Sequence, residues 1–245
     1  MCYTKNMKNI LITGANGGIG SAIAKKLASK NTRLFLIYHN NKDILDNIKQ
    51  THSSEIYLYQ CNLIKEKEIK ALIDDIIYKF KKIDVLINAH GVSLFQQIQD
   101  TSEKDYNHIF DTNFKSIVFT NKHVAKHMIS EKYGNIINIS SMWGNVGASM
   151  ESIYSAAKGA LNTLTLSLAK ELGPSNICVN AICPGLIDTK MNAKLDSSAI
   201  SEIVNSTPLN RIGSPDDVAK IVKFLALDSS FITGQIITVD GGFSL

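Results

Sequence analysis

Tyr154 and Lys158 stand four residues apart in Tyr154-Ser155-Ala156-Ala157-Lys158, a spacing that sets a phenol and an ammonium one turn apart on one helix face. A cation so placed stabilises phenolate and draws the tyrosine pKa down from ~10. Tyr154 could then give a proton to a ketone oxygen or take one from an alcohol. Taken alone, the pair fits a solvated helix face better. Thirteen residues before Tyr154, however, an apolar run closes on Ser140-Ser141, and the carboxyl edge of an open α/β sheet is where ligands bind. Ser141, beyond the strand end, is the hydroxyl expected to hold a substrate oxygen; Ser140 is expected to be a structural partner.

A second chemical signal lies near the start. Ile10-Leu11-Ile12 leads into Thr13-Gly14-Ala15-Asn16-Gly17-Gly18-Ile19-Gly20 and then a helical stretch, the strand, glycine turn and helix order of a dinucleotide site. Gly14 permits the tight turn, Gly18 lets backbone approach a pyrophosphate, and Gly20 lets the helix pack on the sheet, so that helix N-terminal amides face the anion. An acid at the end of the following strand would bind a ribose 2′-OH. That strand ends Tyr38-His39-Asn40-Asn41-Lys42 without a carboxylate, which favours NADP(H). No arginine is present there either, so Lys42 or the amides of Asn40 and Asn41 must serve and the preference is moderate.

Positioning these groups requires a sheet. Strand-length apolar runs recur at Ile10 to Thr13, Leu34 to Tyr38, Ile56 to Gln60, Val85 to Asn88, Ile136 to Ser140, Cys178 to Ile182 and Ile236 to Val239. They are continuous rather than alternating, as in strands buried on both faces, and helical stretches separate them, which predicts a parallel α/β sheet of seven strands. Ser214-Pro215-Asp216-Asp217 predicts a capped helix start running to about Leu227, and Gly173-Pro174 ends a helix over Ser152 to Leu172. Another long helix is expected over Glu103 to Ser130. Gly185 to Gly213 carries no strong pattern and reads as a substrate loop or lid; residues 1–8 read as a frayed tail.

Composition bounds the rest. The 245 residues are 44% hydrophobic and 20% charged with 4 Pro and 15 Gly, which excludes collagen-like and disordered classes and fits one domain over 1–245. The 26 basic residues, 24 of them Lys, against 22 acidic ones give +4, with no basic run that would mark nucleic-acid or membrane-surface binding. Cys2, Cys61, Cys178 and Cys183 form no C-x-x-C pair and read as reduced cysteines of a cytoplasmic protein. No stretch approaches the ~18 apolar residues of a membrane span, and no metal site is expected.

The glycine turn, Asn113, Ser141 and the Tyr154 to Lys158 motif together resemble the short-chain dehydrogenase/reductases. The likeness extends through Ile87-Asn88-Ala89-His90-Gly91, the run from Pro184 to Thr189, and the closing Ile232 to Gly242. Within that superfamily the C-terminal half is most similar to 3-oxoacyl-acyl-carrier-protein reductases. The resemblance implies a single-domain Rossmann fold with a doubly wound seven-stranded parallel sheet. It implies catalysis by Ser141 polarising a carbonyl, Tyr154 donating the proton, Lys158 binding nicotinamide ribose while tuning Tyr154, and Asn113 holding a relay water. Cofactor contacts would come from Gly14, Asn16, Gly18, Ile19, Gly20, Asn62, Leu63, Asn88, Gly91, Tyr154, Lys158, Pro184, Gly185, Ile187 and Thr189, with Thr189 on the carboxamide.

Three positions depart from the family pattern. Asn62 stands where an adenine-contacting Asp is usual. The usual Asn-Asn-Ala-Gly run is Asn88-Ala89-His90-Gly91, with His90 expected to be packed and hydrogen-bonded. Of the basic positions used to dock a carrier protein, Lys132 matches one and Ser175 replaces another, which loosens the tie to an acyl carrier. The expected reaction is NADPH-dependent reduction of a 3-oxoacyl thioester. Reduction of another ketone, such as a sugar-pathway or secondary-metabolite intermediate, is the alternative, and a non-catalytic dinucleotide-binding protein a further one. The apolar candidates Leu94, Phe95, Trp143, Met150, Leu186 and Met191, with Ser93, would form the substrate pocket. A homotetramer is expected, with surplus apolar positions at Phe119, Val124, Leu164 and Leu168 to be covered.

Overall fold

The computed structural model describes residues 7–192 and 196–245. Seven strands, β1 Lys8–Thr13, β2 Thr32–Tyr38, β3 Glu55–Gln60, β4 Val85–Asn88, β5 Gly134–Ile139, β6 Ile177–Pro184 and β7 Ile236–Val239, form one sheet in the order β3-β2-β1-β4-β5-β6-β7. Every pairing is parallel, with Ile12 opposite Leu36 on one side and Ile87 on the other. The chain therefore reverses its direction of travel across the sheet between β1 and β4, the switch point where such sheets open a crevice.

Alternate residues of each strand feed two cores because successive side chains point to opposite faces. Ile10, Ile12, Leu34, Leu36, Ile87 and Ile137 pack with helices α1 Gly18–Leu27, α2 Asp43–Thr51 and a C-terminal helix, Pro215–Leu227. Leu11, Phe35, Ile37, Leu86, Ile136 and Val179 face α3 Glu66–Phe80 and two further helices, α5 Ser116–Glu131 and α7 Ser152–Leu172. Burial on both sides is why the strands read as unbroken apolar runs. Each fully buried Ile or Leu is worth roughly 1.5–3 kcal/mol.

The helix read over Glu103 to Ser130 is not uniform. α4 Glu103–Phe110 opens on a capping box between Ser102 and Asp105, a π-helical turn Asp111–Lys115 follows, and α5 continues from it. Val124, read as surplus apolar surface, is fully buried in the second core, whereas Phe119 and Leu168 only rest against it. Lys8, read as tail, already belongs to β1, and residues 1–6, with Cys2, lie outside the described residues. In the span from Gly185 to Gly213, Ile187 bridges Gly213 and a helix, α8, forms over Ser197–Ser206; residues 193–195 lie outside the described ones. A short α6 Trp143–Val146 precedes α7, and α9 is the C-terminal helix Pro215–Leu227.

Candidate active site

The candidate residues gather at the carboxyl edge of the sheet. β1 ends in Thr13, and Gly14 turns the chain with φ +62°, a left-handed conformation that favours glycine. A Cβ at Gly14 would lie 2.6 Å from the Cα of His90. α1 then begins without an acidic residue in its first turn, so its N-terminal amides and dipole are free to face an anion. Thr189 closes over this turn, its methyl in the space a Cβ on Gly18 would need. These features fit a dinucleotide pyrophosphate. Thr189, which the resemblance assigns to the carboxamide, thus stands against the glycine turn.

At the end of β2, Asn16 Nδ2 donates to the Asn41 carbonyl at 2.9 Å, and the Asn41 side chain is engaged at both ends by Asp43. Lys42 stands 3.6 Å from Asp46 in an exposed ion pair, which is weak at such a site and leaves its ammonium available. Asn62, at the end of β3, accepts the Ile64 amide on Oδ1, so one carbonyl lone pair remains for an adenine amino group. Leu63 packs against the second core.

Asn88 serves a structural network. Its Nδ2 donates to Asn121 Oδ1 at 2.8 Å and Asn138 Oδ1 at 2.9 Å, and Asn138 continues to Thr165. This buried amide chain ties β4 and β5 to α5 and α7. Asn113, in the π-helical turn, is likewise committed: its amide donates to the Val92 carbonyl and its Oδ1 accepts the Val92 N–H, both at 2.8 Å. The side chain thus clamps the loop after β4, and one Nδ2–H and one Oδ1 lone pair remain beyond these two bonds. Gly91 lies where a Cβ would sit 3.0 Å from Asn113 Oδ1 and 3.5 Å from Lys158 Nζ, which puts these two groups around one point.

Ser140 Oγ donates to the Lys158 carbonyl at 3.1 Å, the structural role expected of it. Ser141 Oγ accepts the Trp143 amide at 3.2 Å and is near enough to the Tyr154 phenol to act on its proton affinity. Both Tyr154 and Lys158 are buried, 9% and 3% exposed. Lys158 Nζ donates to the Ile139 carbonyl at 2.9 Å and stands 5.8 Å from the Tyr154 ring centre. The spacing predicts a lowered tyrosine pKa, but the structure gives the opposite net direction. Burial raises the phenol to about 12, opposed by the Ser141 hydrogen bond and reinforced by the charge of Glu151. Burial also lowers the Lys158 ammonium to about 8.

The far wall comes from β6. The Pro184 carbonyl accepts the Met142 amide, Gly185 N–H donates to Val239, and Gly213 N–H donates to Leu186 beside Ile187. Trp143 packs edge-on to Phe243 at 5.5 Å, while Phe95 and Met191 are exposed, so the expected apolar lining is an open rim. Ile19 packs against the first core at the start of α1.

Sequence reasoning missed Glu151. It precedes Tyr154 by three residues, hence on the same helix stripe, and its position as the N-cap of α7 makes no side-chain capping bond. Its partly buried carboxyl is held above the usual range by desolvation. Spacing from Tyr154 was the available signal.

The chain resembles known proteins over nearly its whole length. A family model described as enoyl-(acyl carrier protein) reductase matches residues 14–244. The 3-oxoacyl-[acyl-carrier-protein] reductase FabG of Thermotoga maritima is 34% identical over 238 residues, covering 96% of this chain and 97% of that protein. The uncharacterized oxidoreductase YmfI of Bacillus subtilis is 34% identical over 241 residues, covering 96% and 98%. The solved structure of ElxO with NADP bound matches with a TM-score of 0.90 and 32% identity, over 97% of this chain and 98% of that one. With a glycine turn at the first strand, Ser141 beside Tyr154, and Lys158 one helical turn on, the chain belongs to the short-chain dehydrogenase/reductases, a family of NAD(P)-dependent oxidoreductases.

Proposed function

We propose that this protein reduces a ketone, foremost a 3-oxoacyl thioester, to the secondary alcohol with NADPH. The observation that carries the reading is the buried pair of hydroxyls, Ser141 and Tyr154, at the carboxyl edge with Lys158 behind them. Bound nicotinamide supplies the hydride. Ser141 donates a hydrogen bond to the substrate oxygen and polarises the carbonyl. Tyr154, protonated at neutral pH and held more firmly so by burial, delivers the proton to that oxygen as negative charge develops. Lys158 holds positive charge beneath the phenol and binds the cofactor ribose, while Asn113 fixes the loop that carries Gly91. The matching family model and the FabG relative bear names that differ in the bond reduced, C=C or C=O. Two hydroxyls converging on one point suit a carbonyl oxygen.

NADP(H) is favoured over NAD(H) because no carboxylate follows Tyr38 and because ElxO was solved with NADP bound. Lys42 is the cation for the 2′-phosphate, and without a bidentate arginine the preference is modest. The assembly is a homotetramer in the cytoplasm. Among the described residues no helix is long and apolar enough to cross a membrane.

A carrier protein is a substrate-bearing partner of limited weight. Asn176 Nδ2 reaches the Lys132 carbonyl, so positions 132 and 175 are neighbours, and only the first is basic. Steering of an acidic carrier by one base is weak and little affected by salt.

The test is NADPH oxidation with acetoacetyl-coenzyme A, an acetoacetyl carrier protein and free ketones, at two salt concentrations. Tyr154→Phe is expected to lose at least about a hundredfold in kcat with NADPH binding nearly unchanged. A Phe variant that keeps the wild-type rate overturns the proton-donor role. Inactivity on both thioesters with turnover of a free ketone moves the assignment to the alternative, a reductase of another ketone.

A further inference from the structure

His90 occupies a position that the proposed reaction does not use, and its ring is engaged at both ends. Nδ1 lies 2.7 Å from Thr13 Oγ1 and Nε2 lies 2.6 Å from Ser116 Oγ. Ser116 Oγ in turn donates to the Thr112 carbonyl at 2.6 Å, so its single proton is spent and Nε2 must be the donor to it. Thr13 Oγ1 has two acceptors in reach, the Ile87 carbonyl at 3.3 Å and His90 Nδ1 at 2.7 Å; with Nε2 donating, a neutral ring leaves Nδ1 as the nearer acceptor, so Thr13 gives its proton to the ring while accepting the Ala89 amide at 3.2 Å. The bonds run in one direction, from the Ala89 amide through Thr13, His90 and Ser116 to Thr112. This chain begins beside the glycine turn and ends inside the π-helical turn that carries Asn113.

We propose that His90 is a positioning residue, a neutral strut in the Nε2–H tautomer that fixes the cofactor turn and the π-helical turn in register around residues 89–92. Three further contacts converge on that segment. Gly14 packs directly on the His90 backbone, Asn113 clamps Val92 through two hydrogen bonds, and Gly91 lies beside Lys158 Nζ. The segment is therefore the only piece of backbone, among the described residues, that these contacts link at once to the phosphate turn, Asn113 and Lys158. Burial and the charge of Lys158 hold the imidazole down to about 3, so the strut does not change charge where the enzyme works. A ring that merely filled space would be replaced by phenyl without loss.

The tautomer arm of the test stands on geometry alone; the kinetic arm rests on the ketone-reductase reading. In nitrogen-15 NMR of the full chain, one of its six histidines, identified by its absence in His90→Phe, is expected as a pure Nε2–H tautomer that does not titrate between about pH 5 and 8. His90→Phe keeps the ring volume and removes both bonds. It is expected to lower kcat about tenfold or more, since small misplacements at reacting groups are costly, while the Kd for NADPH changes less than about threefold because the turn amides remain. His90→Gln, with one acceptor and one donor, is expected to recover part of kcat. Ser116→Ala is expected to cost about as much as His90→Phe, and the double variant no more than either. Wild-type kcat in His90→Phe, additive losses in the double variant, an Nδ1–H tautomer, or a ring that titrates near 6.5 each overturns the proposal. An enzyme inert toward every ketone refutes the functional reading instead, and the NMR result then decides this one alone.

Discussion

At the scale of single residues, the site holds two titratable groups whose proton affinities burial drives apart. Tyr154 rises to about 12 and Lys158 falls to about 8, so at neutral pH the pair holds both of its protons, the state that ketone reduction needs. Above about pH 8 the ammonium loses its charge. The reduction rate is expected to be level below about pH 7 and to decline through pH 8, which a pH profile of kcat/KM checks. Stability runs the other way. An unfolded lysine keeps its proton to ~10.4, so between about 8 and that value the unfolded chain binds more protons, and this residue adds stability as pH rises. A Lys158→Met variant is expected to lose that alkaline gain and most activity together.

At the scale of elements, the capping box of α9 shows how a local signal becomes energy. Ser214 Oγ accepts the Asp217 amide, Asp217 Oδ2 accepts the Ser214 amide at 2.8 Å, and Arg211 pairs with the same carboxylate at 2.9 Å. Ser214→Ala is expected to cost about 1 kcal/mol, seen as a drop of about 2–4 °C in Tm. The Arg211 and Ser214 bonds hold the Asp217 carboxyl below its ordinary value. Its contribution is present above the unfolded pKa of ~3.9 and is lost as pH falls through the folded one. This box was legible because its partners are three residues apart, and so were the glycine turn and the Tyr154 to Lys158 face. The π-helical turn, the Asn113 clamp on Val92 and the Asn88 to Thr165 amide chain were not. Each depends on which strand ends lie side by side, and nothing within a helix turn of Asn113 announces Val92 as its partner. Val124 was misjudged for the same reason: apolar periodicity shows that a side chain wants cover but not that α3 and the sheet already supply it.

At the scale of the whole molecule, cofactor choice and assembly can be read from opposite ends of the fold. The Ile37 carbonyl accepts the Ala15 amide at 3.0 Å, so the end of β2 is fixed beside the turn. Tyr38→Asp is expected to move the NADPH to NADH ratio of kcat/KM about tenfold or more toward NADH, by repelling a 2′-phosphate and accepting a 2′-OH; an unchanged ratio would remove that position from cofactor choice. The helices α5 and α7 expose Ile129 and Leu166 beside the partly covered Phe119 and Leu168, and pairing across two-fold axes would bury them. Light scattering at micromolar concentration is expected to give four times 26.9 kDa; monomer alone excludes the tetramer. The strand order has a consequence for biosynthesis. β1 is the first strand made, yet one of its edges must wait for β4. At ~5–20 residues per second on the ribosome, the nascent sheet β3-β2-β1 spends seconds with an apolar strand open to any other chain. The glycine turn that follows β1 therefore begins its life at an unpaired border of the sheet, open until β4 is made.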